Sequence, residues 1–213
     1  MNLTIAQSYL LCALTERGKL PVLNNDVQVC LVAGGLLDLL MEGSIGFNEK
    51  KKLYVKGDGI TQHSDLKSLC DYIRNAKKPM GVKRLASDYV FTFSARRLTQ
   101  LLEDIGCSLA TMNFVENEGN RRFLPKAAAV DHVIQSIRAE LLEEGTVSDE
   151  MVALVSLMDK SGQLKRYFSK YEKDQLKVRL KEIKESASHS LVKEMVDYID
   201  LLMAAAASSA ASC

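Results

Sequence analysis

Residues 21–47 read PVLNNDVQVCLVAGGLLDLLMEGSIGF, and the rest of the chain reads as layers around them. A polar opening, Asn24-Asn25-Asp26, leads into an apolar run from Val27 to Met41 broken only by Gln28, Gly34, Gly35 and Asp38. Gly43 stands where a helix C′ residue in the left-handed conformation belongs. A helix that is apolar on nearly every face must be surrounded by other elements. Some fifteen apolar-run residues fall short of the ~20 that a membrane span needs. Gly34 and Gly35 each cost roughly 1 kcal/mol relative to Ala inside a helix, which is tolerated where a neighbouring backbone comes close. The stretch therefore predicts a central buried helix.

Working outward, Thr4 to Gln7 fits a capping box for a first helix that runs to about Thr15 and ends near Gly18. After the central helix, Ser44 to Phe47 and Lys51 to Val55 flank Asn48-Glu49-Lys50, a β-hairpin pattern. Lys56-Gly57-Asp58-Gly59 ends it in a turn. Ser64 is placed to cap a third helix, with Leu66, Leu69, Cys70 and Ile73 on one face, closed by Pro79. A short helix is expected from about Val82 to Ser87. A longer one is expected from Ser94 to Ile105, ended by Gly106.

Cys107 to Val115 and Arg121 to Leu124 then flank Glu116 to Asn120 as a second hairpin. Val130 to Leu142 is an amphipathic helix stopped by Gly145, and Ser148 caps the next. Gln163 to Glu185 makes one basic-faced helix or two, and Ser190 to Ala207 the last. The fold class is thus mainly α: a single compact multi-helix domain over residues 1–205, around a central buried apolar helix, with two β-hairpins. Residues 206–213 form a low-complexity tail.

Apolar residues at 47% and charged residues at 26% suit a globular chain, and no signal peptide or span of membrane length is evident, so a cytoplasmic protein is expected. A net charge of +1 means that any attraction to nucleic acid or membrane must come from a local patch. Cys12, Cys30, Cys70, Cys107 and Cys213 are scattered without a CxxC, and the first three sit at apolar helix positions as buried free thiols. His63, His132 and His189 lie far apart with no ligand partner at motif spacing, so no metal site is expected.

No GxSxG, Walker loop, dinucleotide fingerprint or HExxH occurs. The carboxylate pairs Glu103-Asp104 and Glu143-Glu144 fall on polar helix faces as solvated charges. Neither a catalytic residue nor a cofactor is expected. The basic residues carry more: Lys50-Lys51-Lys52 at a hairpin tip, Lys77-Lys78 and Lys83-Arg84 around a loop, Arg96-Arg97 at a helix start and Arg121-Arg122 at a strand start. Each alone is a solvated surface. Two or more converging on helix N-termini would make an anion site, because N–H groups and guanidinium forks both suit phosphate.

In four blocks the chain resembles the Golgi phosphoprotein 3 family, in the type found in bacteria. These are the opening helix with its turn (Ile5 to Leu20), CLVAGGLLDLLMEGSI, RRLTQLLEDIG, and VALVSLMDKSGQLKRYF, and the closing apolar helix is similar too. The resemblance implies a mostly α-helical domain with hairpins, no enzymatic activity, and peripheral attachment to the cytoplasmic face of a membrane. Eukaryotic members bind phosphatidylinositol 4-phosphate and link Golgi membranes to cargo glycosyltransferases and the cytoskeleton.

Their headgroup site uses a Trp before the central helix, an Arg within it, and arginines around the start of the RRLTQLL-like helix. In ungapped alignment Leu23 falls at the Trp and Val32 at the helix Arg, while Thr92 and Ala95 take two later arginines. Asn24 and Arg97 match family positions, and Arg96 adds an adjacent charge, so Asn24, Arg96 and Arg97 are the implied headgroup or anion-binding residues.

Two other readings stand beside this one. A soluble protein-interaction module would keep the fold without the lipid site, with self-association by edge pairing of a hairpin around Met112 and Phe114. A winged-helix nucleic-acid binder would use residues 5–55, but its second helix should expose a polar recognition face, and here that helix is apolar almost all round.

Overall fold

Helix α2, Asn25–Glu42, is the axis of the computed structural model, which describes residues 3–21, 23–57, 61–92, 94–143, 145–186, 197–201 and 203–204. Asn24 caps it by accepting the Val27 N–H at 3.2 Å, and Gly43 closes it with φ 85°. Every residue from Val27 to Leu39 is buried, and α2 touches α1 (Ile5–Ala13), α3 (Lys67–Arg74), α4 (Val82–Val90), α5 (Arg96–Thr111) and α7 (Asp149–Lys160). The two glycines explain how so many neighbours fit. A Cβ on Gly34 would lie 3.1 Å from the Ala6 Cα, and one on Gly35 3.1 Å from the methyls of Leu66 and Leu69. With no exposed polar face on α2, the winged-helix arrangement has no recognition helix.

Helix α1 carries the expected capping box: the Thr4 hydroxyl accepts the Gln7 N–H and Gln7 Oε1 accepts the Thr4 N–H at 3.1 Å. It ends at Ala13, and all nine of its residues are buried. The Gln7 amide also donates to Asp65 at 2.8 Å and Ser108 at 3.2 Å, which satisfies a polar group inside the core and ties three elements together.

Strands β1 (Ile45–Phe47) and β2 (Leu53–Val55) pair antiparallel with Phe47 opposite Leu53. The Asn48 side chain holds the tip by accepting the N–H groups of Lys50 and Lys52, both at 3.0 Å. The turn that begins Ser64–Leu66 is 3₁₀ and precedes α3, so Ser64 does not cap an α-helix directly. Leu69, Cys70 and Ile73 are buried as their spacing predicts.

The second hairpin departs from expectation. Helix α5 runs through Gly106 to Thr111, so Cys107 is helical, and the strands are β3 (Val115–Asn117) and β4 (Phe123–Pro125). Gly106 is not a stop: a Cβ there would come within 2.5 Å of the Phe123 ring, which lies flat against the helix. Phe114 is buried and Met112 half-buried, so this hairpin presents no exposed apolar edge of the kind the self-association reading needed.

Helix α6 (Ala127–Ile137) starts three residues earlier than expected and continues through a widened turn, Arg138–Leu142. Ser148 caps α7. The basic segment forms two helices, α8 (Leu164–Tyr167) and α9 (Lys170–Ser186). Residues 197–201 are helical, and Tyr198 stacks on Phe47 with ring centroids 4.1 Å apart. Cys12, Cys30 and Cys70 are buried and unbridged, whereas Cys107 is exposed. His189, Cys213, the tail 206–213, most of the expected closing helix and the Asp58-Gly59 part of the turn lie outside the described residues. No helix among the described residues is long and apolar enough to cross a membrane.

Candidate functional site

Two of the basic pairs the sequence singled out, Lys83-Arg84 and Arg96-Arg97, lie in the first turns of helices α4 and α5. A helix start favours acidic side chains, each stabilising by roughly 0.3–1 kcal/mol. The chain follows that rule at α2, with Asp26, and at α7, with Asp149 and Glu150. It breaks it at α4, whose first turn holds Lys83 and Arg84, and at α5, whose first two residues are Arg96 and Arg97. Neither helix has a side-chain cap: the residue before α4 is Gly81 and the residue before α5 is Ala95, held at φ 45°. Each therefore offers uncapped N–H groups beside exposed cations, the combination that accepts an anion.

The two arginines of α5 differ. Arg97 donates to the Asp88 carbonyl at 3.0 Å and its guanidinium lies 4.6 Å over the Tyr72 ring. Asp88 is further engaged by the Tyr72 hydroxyl at 2.6 Å and by Arg84 at 3.4 Å. Burial first, and the Asp88 carboxylate next, hold the Tyr72 phenol above its ordinary range. Arg96 is exposed and makes no ion pair among the described residues. Asn24 lies at the start of α2, its amide oxygen committed to Val27, and shares no hydrogen-bond partner with either arginine among the described residues.

A lysine run joins this surface in a way its spacing does not reveal. The Leu53 N–H donates to the Met80 carbonyl at 2.8 Å, laying the tip end of strand β2 against the residues that lead into α4. A Cβ on Gly81 would lie 3.5 Å from the Lys52 Nζ. The expected carboxylate pair is solvated and structural: Glu103 binds Arg121 at 2.9 Å, while Asp104 accepts from Ser68 and Gln100.

A model of the family described as Golgi phosphoprotein 3 (GPP34) matches residues 5–199. The chain belongs to this family. Comparison with individually curated proteins finds no match.

Among the positions aligned to the family's headgroup residues, Leu23 is 99% exposed, a bare aliphatic in the loop before α2, and Val32 is fully buried within α2. A side chain packed in the core cannot stand in for a guanidinium that pairs with phosphate. The cations near the start of α5 are Arg96 and Arg97.

Sequence reasoning missed a cavity of about 780 Å³ that brings His63 and His132 together with Asp38, Glu42 and Glu140. These three carboxylates are already engaged. Asp38 accepts the Ile5 and Ala6 N–H groups at 2.8 and 2.9 Å, yet burial still pushes its carboxyl up to about 6. Burial raises the Glu42 carboxyl too, but hydrogen bonds from Thr61, the Gln62 N–H and Ser44 outweigh it and leave it below the usual range. Glu140 accepts from Ser148 at 2.7 Å. Among the described residues no group of three His, Cys, Asp or Glu side chains is arranged to hold a metal ion. The only signal for this cavity was a lone Asp38 within an apolar helix.

Proposed function

We propose that this Golgi phosphoprotein 3-like protein is a non-enzymatic peripheral adaptor that seats the start of α5 against an anionic phospholipid headgroup on the cytoplasmic face of a membrane. What supports the reading is the uncapped first turn of α5 with exposed Arg96 and Arg97, where helix electrostatics alone would place acids. Arg96 supplies a guanidinium fork free for phosphate, Arg97 borders it, and Asn24 holds the loop that carries Leu23. The buried Val32 favours a general anionic headgroup over a dedicated phosphatidylinositol 4-phosphate pocket.

Vesicle sedimentation at low salt tests it, comparing neutral, phosphatidylglycerol-containing and phosphatidylinositol 4-phosphate-containing vesicles. Both anionic kinds should recruit the protein. Arg96→Ala/Arg97→Ala should weaken recruitment about thirtyfold, at ~1 kcal/mol per cation near a charged surface. Equal recruitment to neutral and anionic vesicles would overturn the reading.

One observation favours a protein-interaction module instead. Tyr171 and Val178, 72% and 58% exposed, line a groove of about 370 Å³ between α9 and the Arg138–Leu142 turn. A partner protein recovered without lipid, and lost on Tyr171→Ala, would move the assignment there.

A further inference from the structure

Counting charge by segment separates what the total conceals. Residues 77–97 hold six basic side chains and one acidic, a net +5, and the hairpin tip Asn48 to Lys52 adds three basic and one acidic, a net +2. These two segments carry +7 in a chain whose total is +1. The structure sets them side by side through the Leu53–Met80 bridge and the approach of Lys52 to Gly81. Lys50, Lys51, Lys52, Lys77, Lys78, Lys83 and Arg96 are all exposed, and none forms an ion pair among the described residues. Asp88, the single acid of residues 77–97, is occupied by Arg84 and Tyr72.

We infer that the tip of the β1–β2 hairpin is a second arm of the membrane contact, so that the protein reads the charge density of a bilayer surface and not one headgroup alone. This rests on the reading that the partner is an anionic bilayer. Helix α4 is the spacer: nine residues at a 1.5 Å rise make it about 13 Å long. The hairpin tip meets its N-terminal end at Gly81, and Arg97 is held at its C-terminal end through Asp88. From Gly81 to Asp88 the rise is about 10 Å, comparable to the ~10 Å screening length at 0.1 M salt, so the two arms are distinct contacts on one rigid body.

The tip is also braced. Asn48 accepts two of its N–H groups, and Lys51 sits at φ 52°, which fixes where the lysines project. The composition of the arm suits a bilayer better than nucleic acid. Lysine is a compact point charge matched to a diffuse anionic surface, and the arm has none of the guanidinium forks that read bases. Tyr54, next along β2, is 44% exposed and places an amphipathic ring beside the lysines, as a headgroup zone accepts.

The test titrates the phosphatidylglycerol fraction of vesicles against the full chain, the Lys50→Glu/Lys51→Glu/Lys52→Glu variant, a Gln counterpart at the same three positions, and Arg96→Ala/Arg97→Ala. Unfolding midpoints confirm that each variant is folded. The inference expects both hairpin variants to lose at least tenfold in recruitment at the fraction where the full chain is half bound, with a shallower dependence on lipid charge. Inositol phosphate in solution should compete poorly against the hairpin arm.

Hairpin variants that bind like the full chain, while Arg96→Ala/Arg97→Ala does not, would overturn the inference and leave the headgroup reading standing. Absence of recruitment of the full chain to any anionic vesicle would overturn both. Tighter binding to duplex DNA than to vesicles, lost in the hairpin variants, would reassign the surface to nucleic acid.

Discussion

The Asp38 carboxylate accepts the Ile5 N–H at 2.8 Å, reaching from inside α2 to the open first turn of α1. Its other oxygen takes the Ala6 N–H, so one side chain closes the end of a neighbouring helix that Thr4 and Gln7 cap only in part. The bond joins the two most deeply buried helices through a charge held in the core.

That charge makes stability depend on pH. Burial raises the Asp38 carboxyl from an unfolded value near 3.8 to about 6. Ionisation therefore favours the unfolded chain, and the Asp38 contribution is fully present below about pH 4 and lost as pH rises through about 6. The full effect is about 3 kcal/mol by linkage. Asp38→Asn, which leaves one buried N–H without an acceptor, should destabilise more at pH 4.5 than at pH 7.5 in urea unfolding. A penalty that grew with pH would contradict this.

The paired glycines of α2 should not be equivalent. A methyl at Gly34 meets the Ala6 backbone, which cannot rotate away, whereas at Gly35 it meets the ends of two leucine side chains. Gly34→Ala should cost about 1–3 kcal/mol by overpacking. Gly35→Ala should be near neutral, because roughly 1 kcal/mol of helix propensity offsets the crowding. Urea midpoints of the two variants decide it.

Arg166 is structural. Its guanidinium donates to the carbonyls of Cys12 at 2.7 Å and Leu14 at 3.0 Å and to the Gln163 side-chain oxygen at 2.9 Å, so it finishes the C-terminal end of α1. Arg166→Lys keeps the charge but loses the fork, and should still cost about 1–2 kcal/mol. If the Lys variant unfolds like the parent, charge alone is sufficient there.

Arg96 and Arg97 should separate binding from stability. Arg97→Ala removes the contact over Tyr72 and the bond to Asp88 and should destabilise by about 1 kcal/mol. Arg96→Ala should leave the unfolding midpoint unchanged within about 0.5 kcal/mol while weakening recruitment to anionic vesicles.

Thiol labelling should follow burial. Burial pushes the Cys12 and Cys30 thiols up to about 12, and Cys70 is also raised and enclosed. Of the four described cysteines, only Cys107 should alkylate in the native protein at neutral pH, as read by peptide mass spectrometry. Labelling of Cys30 without denaturant would show that Met203, whose sulfur lies 3.6 Å from the Cys30 thiol, moves away.

Much of the fold was legible because its signals are local. Thr4, Asn24, Gly43 and Ser148 each act within a few residues, and the glycine pair announced a close crossing before its partner was known. Gly106 misled because its reason, the Phe123 ring, comes seventeen residues later in a separate strand. The basic surface was visible only as scattered pairs and one run of three lysines. What gathers it is one backbone hydrogen bond between Leu53 and Met80, which no periodicity encodes. Arg166 reads as one more surface cation until two carbonyls from the far end of the chain are seen against it.

The segregation of charge has a consequence that needs no contact at all. With +7 held by the hairpin tip and residues 77–97, the remainder of the chain carries −6. The molecule is therefore nearly neutral in total while one of its edges is strongly cationic. In the field of an anionic sheet it experiences a torque before it experiences much net pull, and it turns its cationic edge forward during approach. Its affinity for a cation-exchange matrix should accordingly exceed what a sequence isoelectric point near 7.6 foretells.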